Sequence, residues 1–142
     1  MAVRRVFAVV PVAIVLDTCM VLAFVLIGRA SHHATGGLGG LASTTWPFLT
    51  GMAAGEVLTR CWRRPMALLP TGAGVWLSTV AVGMTLRVIA GQGTAAAFIA
   101  VALAFLGLFL LGWRAAAALV PRLLARLAAR GKDSSPSPAS TR

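Results

Sequence analysis

Asp17 stands alone in the apolar run AIVLDTCMVLAFVLIG, residues 13–28. A charged side chain at the centre of an inserted helix costs about 2.5–3.5 kcal/mol, so this acid needs a partner or a proton. Three outlets are open to it. It accepts a hydrogen bond from Ser78 or Thr79, which lie at matching depth on another apolar segment. It stays protonated, because desolvation disfavours the charged form. Or it pairs with a snorkelling Arg87 or Arg29 if those segments touch; a direct pair with Arg29 within the first segment is out of reach, at about 18 Å along the helix. The acid then serves either as a proton or cation site on a transport path or as a polar clamp between the first and third segments.

A second group gathers where the segments turn. Arg29, Ser31 and His32 close the first segment, Trp46 follows Ser43-Thr44-Thr45, and Arg87 precedes Gln92 and Thr94. These could form an outward-facing pocket for an anionic or hydrogen-bonding ligand, with Arg29 and Arg87 as its cationic pair. The competing reading is headgroup contacts and loop caps. Adjacent His32 and His33 have no thiolate or carboxylate close by in sequence to complete a metal set. No His falls inside an apolar segment to ligate haem. The run GQGT, Gly91–Thr94, is too short for a phosphate loop and lacks the following Lys. Neither metal nor cofactor is expected. Glu56 stands four residues before Arg60, a favourable helical ion pair. No nucleophile–base pair occurs, so enzyme activity is not expected.

The elements that position these residues are read from hydropathy. The chain has 142 residues, 58% hydrophobic and only 11% charged, far below the roughly 25% of soluble domains. About 20 apolar residues cross a bilayer, and four windows qualify: about 6–28, 42–60, 67–90 and 95–113. With the N-terminus inside, eleven Lys and Arg residues fall on the cytoplasmic side and only Arg29 and Arg87 outside. Basic residues favour the cytoplasm, so both termini are placed there. Trp46 at an outer end, with Trp62 and Trp113 at inner ends, fits interfacial anchoring. A cleaved signal is disfavoured, because the first apolar run is long, holds Asp17 and lacks a small-residue cleavage site. The Arg-rich, Ala/Gly/Val-rich composition points to a GC-rich bacterial genome, hence a bacterial plasma membrane. Cys19 and Cys61 sit too far apart in depth to pair.

Residues 1–118 thus form a transmembrane domain. Residues 119–131 set Arg122, Arg126 and Arg130 four apart beside Leu123, Leu124 and Leu127. This reads as a short amphipathic helix held to anionic headgroups. No aromatic residues are interleaved for base stacking, so no nucleic acid partner is expected. The Ser/Pro-rich end, 132–142, is expected to be disordered.

Helices in lipid approach through small residues. Gly51 and Gly55 form a GxxxG on the second span, and Gly72, Trp76, Thr79 and Gly83 share a face of the third. Ala97, Ala100, Ala104 and Gly107 offer a stripe on the fourth. The stripes are expected to meet within a compact bundle, with a homodimer or a larger membrane complex left open. The two hairpins also share an order of outer Arg, returning Phe and inner Trp-Arg, which either duplication or shared interfacial chemistry explains.

Taken in order, Asp17, Gly28-Arg29-x-Ser31-His32, Trp46-Pro47-Phe48, Pro70-Thr71-Gly72, Trp76, Leu86-Arg87, Gly91–Thr94 and Gly112-Trp113-Arg114 resemble the bacterial and archaeal membrane family called domain of unknown function 3054. The resemblance covers about residues 8–117. It implies a membrane architecture and supplies no activity; His33 and Glu56 are not positions of its pattern. The expectation is an all-α, four-helix integral membrane bundle with a cytoplasmic amphipathic helix, structural or accessory in role. The alternative is a small-solute or proton-coupled transporter using Asp17 and the outer arginines.

Overall fold

A computed structural model describes residues 2–31 and 36–133, with side chains over 9–30 and 36–130. The side chain of Ser31, His32, His33 and the tail beyond Asp133 lie outside the described residues. Every regular element among the described residues is helical: α1 (Ala2–Ser31), α2 (Gly37–Leu58), α3 (Ala73–Ile89) and α4 (Ala96–Asp133). A kinked turn, Leu68–Gly72, in which Leu69 is extended at φ −124° and ψ 134°, leads into α3.

Three of these elements are long and apolar enough to cross a membrane: Val9–Ala30, Leu68–Ile89 and Ala96–Arg130. The second expected span is not among them. Its helix exists, but begins at Gly37 rather than near 42 and carries Ser43, Thr44, Thr45, Thr50 and Glu56, which dilute its apolar character. The expected break near residue 118 is also absent. Helix α4 runs through Pro121 to Asp133 without interruption, so the basic segment continues the last span instead of forming a separate helix. Pro lacks an N–H and removes one helical bond, but that loss does not end the helix here.

Small residues bring α2 and α3 together. A Cβ on Gly51 would lie 2.8 Å from the Thr79 carbonyl oxygen, and one on Gly55 2.8 Å from the Val75 Cα. The Ser78 hydroxyl donates across this seam to the Gly51 carbonyl at 3.0 Å. Gly83 faces the Phe48 ring in the same way. The GxxxG face is therefore occupied within the chain. On α4 Gly107 lies against Trp76, whose indole donates to the Leu103 carbonyl at 3.0 Å. Ala97, Ala100 and Ala104 are exposed, and the buried stripe is Ala102, Leu106, Leu110 and Arg114. Helix α1 buries a matching stripe of Ala13, Asp17, Val21 and Val25. Both repeat every four residues, the spacing that keeps side chains on one helical face.

Gly51→Ala is expected to lower stability by about 1–3 kcal/mol through overpacking, read as a lower midpoint of thermal unfolding in detergent. Gly112→Ala, within helix α4 and with nothing within 4 Å of the added methyl, should leave the midpoint unchanged or raise it slightly, because Ala favours helix over Gly. Equal midpoints for the two would mean α2 and α3 do not touch backbone to backbone.

Candidate functional site

Asp17 and Arg114 meet where α1, α4 and the α2–α3 connection converge. Arg114 Nη2 lies 2.6 Å from Asp17 Oδ2, and each residue is 1% exposed. Nη1 donates to Oδ1 at 2.7 Å, which makes the pair bidentate, the geometry in which guanidinium and carboxylate match best. Trp113 Nε1 donates to the same Oδ1 at 2.8 Å. The guanidinium also donates to the Leu110 carbonyl at 2.9 Å and, through Nε, to the Pro65 carbonyl at 3.2 Å. Four of the five N–H groups of the fork are thereby engaged.

Local structure explains how a residue at the expected cytoplasmic end reaches so deep. Arg114 occupies the next position of the buried stripe on α4, and its bond to Leu110 turns the head back along the helix. The connection wraps the side chain from the other side. A Cβ on Gly72 would stand 3.0 Å from the Arg114 Cδ, so the absence of a side chain there makes room for the shaft. Thr71, itself buried, donates to the Arg64 carbonyl at 3.0 Å and holds the turn closed.

Neither set of expected partners for Asp17 is the one used. Ser78 bonds Gly51, and Thr79 donates to the Val75 carbonyl on its own helix at 2.7 Å. Arg29 and Arg87 lie at the opposite end of the helices. The reading of Arg114 as a solvated topological charge hid it, although it follows Leu106 and Leu110 at the four-residue spacing. Trp113, expected as an interfacial anchor, is a ligand of the carboxylate and stacks near the guanidinium, 4.5 Å from ring centroid to Cζ. Trp62 and Arg63, its counterparts in the suggested repeat, are exposed. The two Trp-Arg corners therefore differ in chemistry.

Glu56 also departs from its expected pairing. Helix α2 ends at Leu58, and Arg60 sits beyond it in the left-handed region with φ 51°. Glu56 is buried instead, near enough to Asp17 and Arg114 to interact electrostatically with both, and its Oε1 has no hydrogen-bond partner. The Asp17–Arg114 contact is a salt bridge buried on both sides. Cys61, in the connection, is buried. Burial pushes its thiol above the usual value, reinforced by the negative charge of Glu56 and Asp17.

The rim residues divide. Arg87 donates to Gln92 Oε1 at 3.0 Å and to the Gly93 carbonyl at 3.3 Å. Gln92 in turn donates to the Ser43 carbonyl at 2.8 Å, tying the α3–α4 loop to α2. Arg29 donates to Thr44 Oγ1 at 3.3 Å. Arg29, Thr44 and Arg87 border one cavity of about 490 Å³, floored by Phe24, Phe48 and Phe98. Trp46 is not part of this rim; it borders a separate shallow depression with Leu38 and Leu49. Arg122, Arg126 and Arg130 are exposed along the end of α4.

The family described as Protein of unknown function (DUF3054) matches residues 14–117, which includes Asp17 and Arg114 and leaves out the basic end of α4. No curated protein and no solved structure matches the chain.

Removing one member of a buried pair strands the other charge, at about 3–5 kcal/mol. Asp17→Asn and Arg114→Met should each lower the thermal midpoint steeply. The double change Asp17→Leu with Arg114→Met should recover most of the loss, because no charge is left buried. An unshifted midpoint for Asp17→Asn would remove the pair from the account of stability.

Proposed function

The chain belongs to the family of unknown function DUF3054, and from that premise and the geometry above we propose a non-catalytic, structural or accessory integral membrane protein. In this reading the chain crosses the bilayer four times, with both termini cytoplasmic. Helix α2 is too polar to qualify alone, yet it lies along α3 through Gly51, Gly55 and Phe48. Whatever depth α3 occupies, α2 shares. Its Thr44, Thr45, Thr50 and Thr59 hydroxyls each donate to a carbonyl four residues earlier, so they expose no unsatisfied donor to lipid. The Lys and Arg asymmetry favours the orientation even when Arg114, held in the ion pair, is set aside.

The observation that carries the structural role is the closure of Asp17. Both carboxylate oxygens are occupied, the residue is 1% exposed, and it does not border the cavity between Phe24 and Phe98. A proton or cation relay requires a carboxylate that solvent or solute reaches. A clamp requires one that is satisfied.

The end of α4 supplies a partner surface. From Ala96 to Arg114 is about 28 Å of helix, close to the thickness of the hydrocarbon core. The exposed Arg122, Arg126 and Arg130 then lie beyond it, where anionic headgroups attract them at about 1 kcal/mol each. A homodimer or a larger membrane complex would be assembled on other faces than the α2–α3 seam.

Two measurements test the proposal. In proteoliposomes, Asp17→Asn should alter thermal stability and produce no change in pH-driven flux. A pH-dependent flux abolished by Asp17→Asn in a folded protein would establish transport instead. A cysteine placed at Ala95 should react with an impermeant maleimide from outside the cell, and one at Arg126 only after lysis. Labelling of both from one side of intact cells would sink the four-crossing orientation.

A further inference from the structure

We propose that the cavity between α1 and α4 is a binding site for one anionic phospholipid of the surrounding leaflet. One acyl chain would lie against the phenylalanines, and the phosphate would lie at Arg87 and Arg29. This rests on the membrane reading above and adds a ligand to it.

The cavity has two chemistries in a fixed order. At its floor, Phe24 and Phe48 are buried and meet edge to face at 5.4 Å, with Phe98 6.3 Å from each. Its volume, about 490 Å³, is in the range of small-molecule sites. At its lip stand Arg29, in the last turn of α1, and Arg87, in the last turn of α3. Along α4 the lining runs from Phe98, next to Arg87, about 10 Å further along the helix to Phe105. An amphiphile with its head at the arginines and its chain pointing toward the middle of the protein fits this order. A compact ion would leave the aromatic floor unused.

The position of the opening selects the source. Ile27 on α1 and Val101 and Phe105 on α4 border the cavity and are exposed, 49%, 49% and 39% respectively. The mouth therefore faces sideways between two helices that read as membrane spans, so the occupant enters from lipid. A chain moving from lipid into an apolar slot gains little hydrophobic free energy, since both environments are hydrocarbon. Selectivity must then come from the head.

Arg87 supplies it. No carboxylate of the described residues forms an ion pair with this guanidinium. Its charge is met by Gln92, by loop carbonyls and by the rings of Phe98 and Phe48, 4.7 and 5.9 Å from Cζ. Its Nε is buried and has no hydrogen-bond partner. A buried N–H left unmade costs about 1–3 kcal/mol, more on a charged group. A phosphate at the lip would neutralise that charge. Guanidinium and phosphate form strong, often bidentate pairs where water is excluded.

The test is native mass spectrometry of the full chain, delipidated in neutral detergent and titrated with dioleoyl phosphatidylglycerol, dioleoyl phosphatidylcholine, oleate or inorganic phosphate. One molecule of phosphatidylglycerol should be retained at least tenfold more strongly than phosphatidylcholine. Arg87→Gln should remove that preference. Val101→Trp, which fills the mouth and leaves the arginines in place, should remove retention altogether. Thermal midpoints identify any variant that fails to fold, and Arg29→Gln provides a second reading of the headgroup end. Equal retention of the two phospholipids, or a preference that survives both arginine variants, overturns the proposal. So does tighter binding of oleate, which would make this a free fatty acid site, or binding of inorganic phosphate as tight as that of phosphatidylglycerol. Membrane insertion is scored separately by fractionation, so loss of lipid selectivity in a protein that still spans the bilayer counts against the site alone.

Discussion

Two opposite charges placed among apolar side chains constrain this molecule more tightly than any of its hydrophobic contacts. Dispersion contacts between aliphatic residues change gradually as helices slide. A buried carboxylate and guanidinium do not tolerate sliding, because desolvation removes the water that would otherwise replace a lost partner. Asp17 and Arg114 therefore tie α1 to α4 at one depth and in one rotational setting. Trp113, Leu110 and Pro65 complete the hydrogen bonding. The connection between α2 and α3 is drawn into the same arrangement, since Gly72 must pass close to the arginine shaft. One ion pair thus fixes the relation of three parts of the chain far apart in sequence.

The α2–α3 hairpin works by a different principle. Its seam is made by what is missing, the side chains at Gly51, Gly55 and Gly83, and by one hydroxyl bond across it. In a membrane, where burying apolar surface brings no gain over lipid, close backbone approach is the available source of association. Rigid at the seam, the hairpin offers a surface on which α1 and α4 close at one end. At the other end they leave a cavity beneath two arginines.

The molecule is therefore asymmetric along its helices. At the end holding Arg114, the Asp17–Arg114 pair is mutually compensated and enclosed. At the end holding Arg29 and Arg87, the guanidinium of Arg87 leans on aromatic rings and carbonyls. Cation–π contacts of this kind stabilise a cation by about 0.5–2 kcal/mol, less than a carboxylate partner does in a dry site. Satisfied charge gives rigidity, whereas incompletely compensated charge bordering a cavity leaves chemistry open to a ligand.

Much of this was legible in the residues. The apolar runs specified helices, since backbone groups in lipid must bond within their own segment. The glycines of α2 and α3 marked the seam, because small residues at helical spacing have few other uses there. The unusual status of Asp17 was plain from its surroundings. Its partner was not. Sequence counts charges by segment, and Arg114 beside Trp113 at the end of an apolar run looks like any interfacial arginine. Only the packing of α4 on α1 shows that position 114 continues the stripe of Leu106 and Leu110 and turns its head inward. The stripe on α1 was invisible for a related reason: when nearly every residue is apolar, periodicity has no contrast. The meeting of Arg29, Thr44 and Arg87 around a phenylalanine floor likewise joins residues from all four helices. The residues by themselves determined that the chain forms long apolar helices, one of which holds an acid, Asp17, at its centre. Tertiary structure decided which cation answers that acid and where a cavity remains, because both depend on how helices distant in sequence rotate against one another.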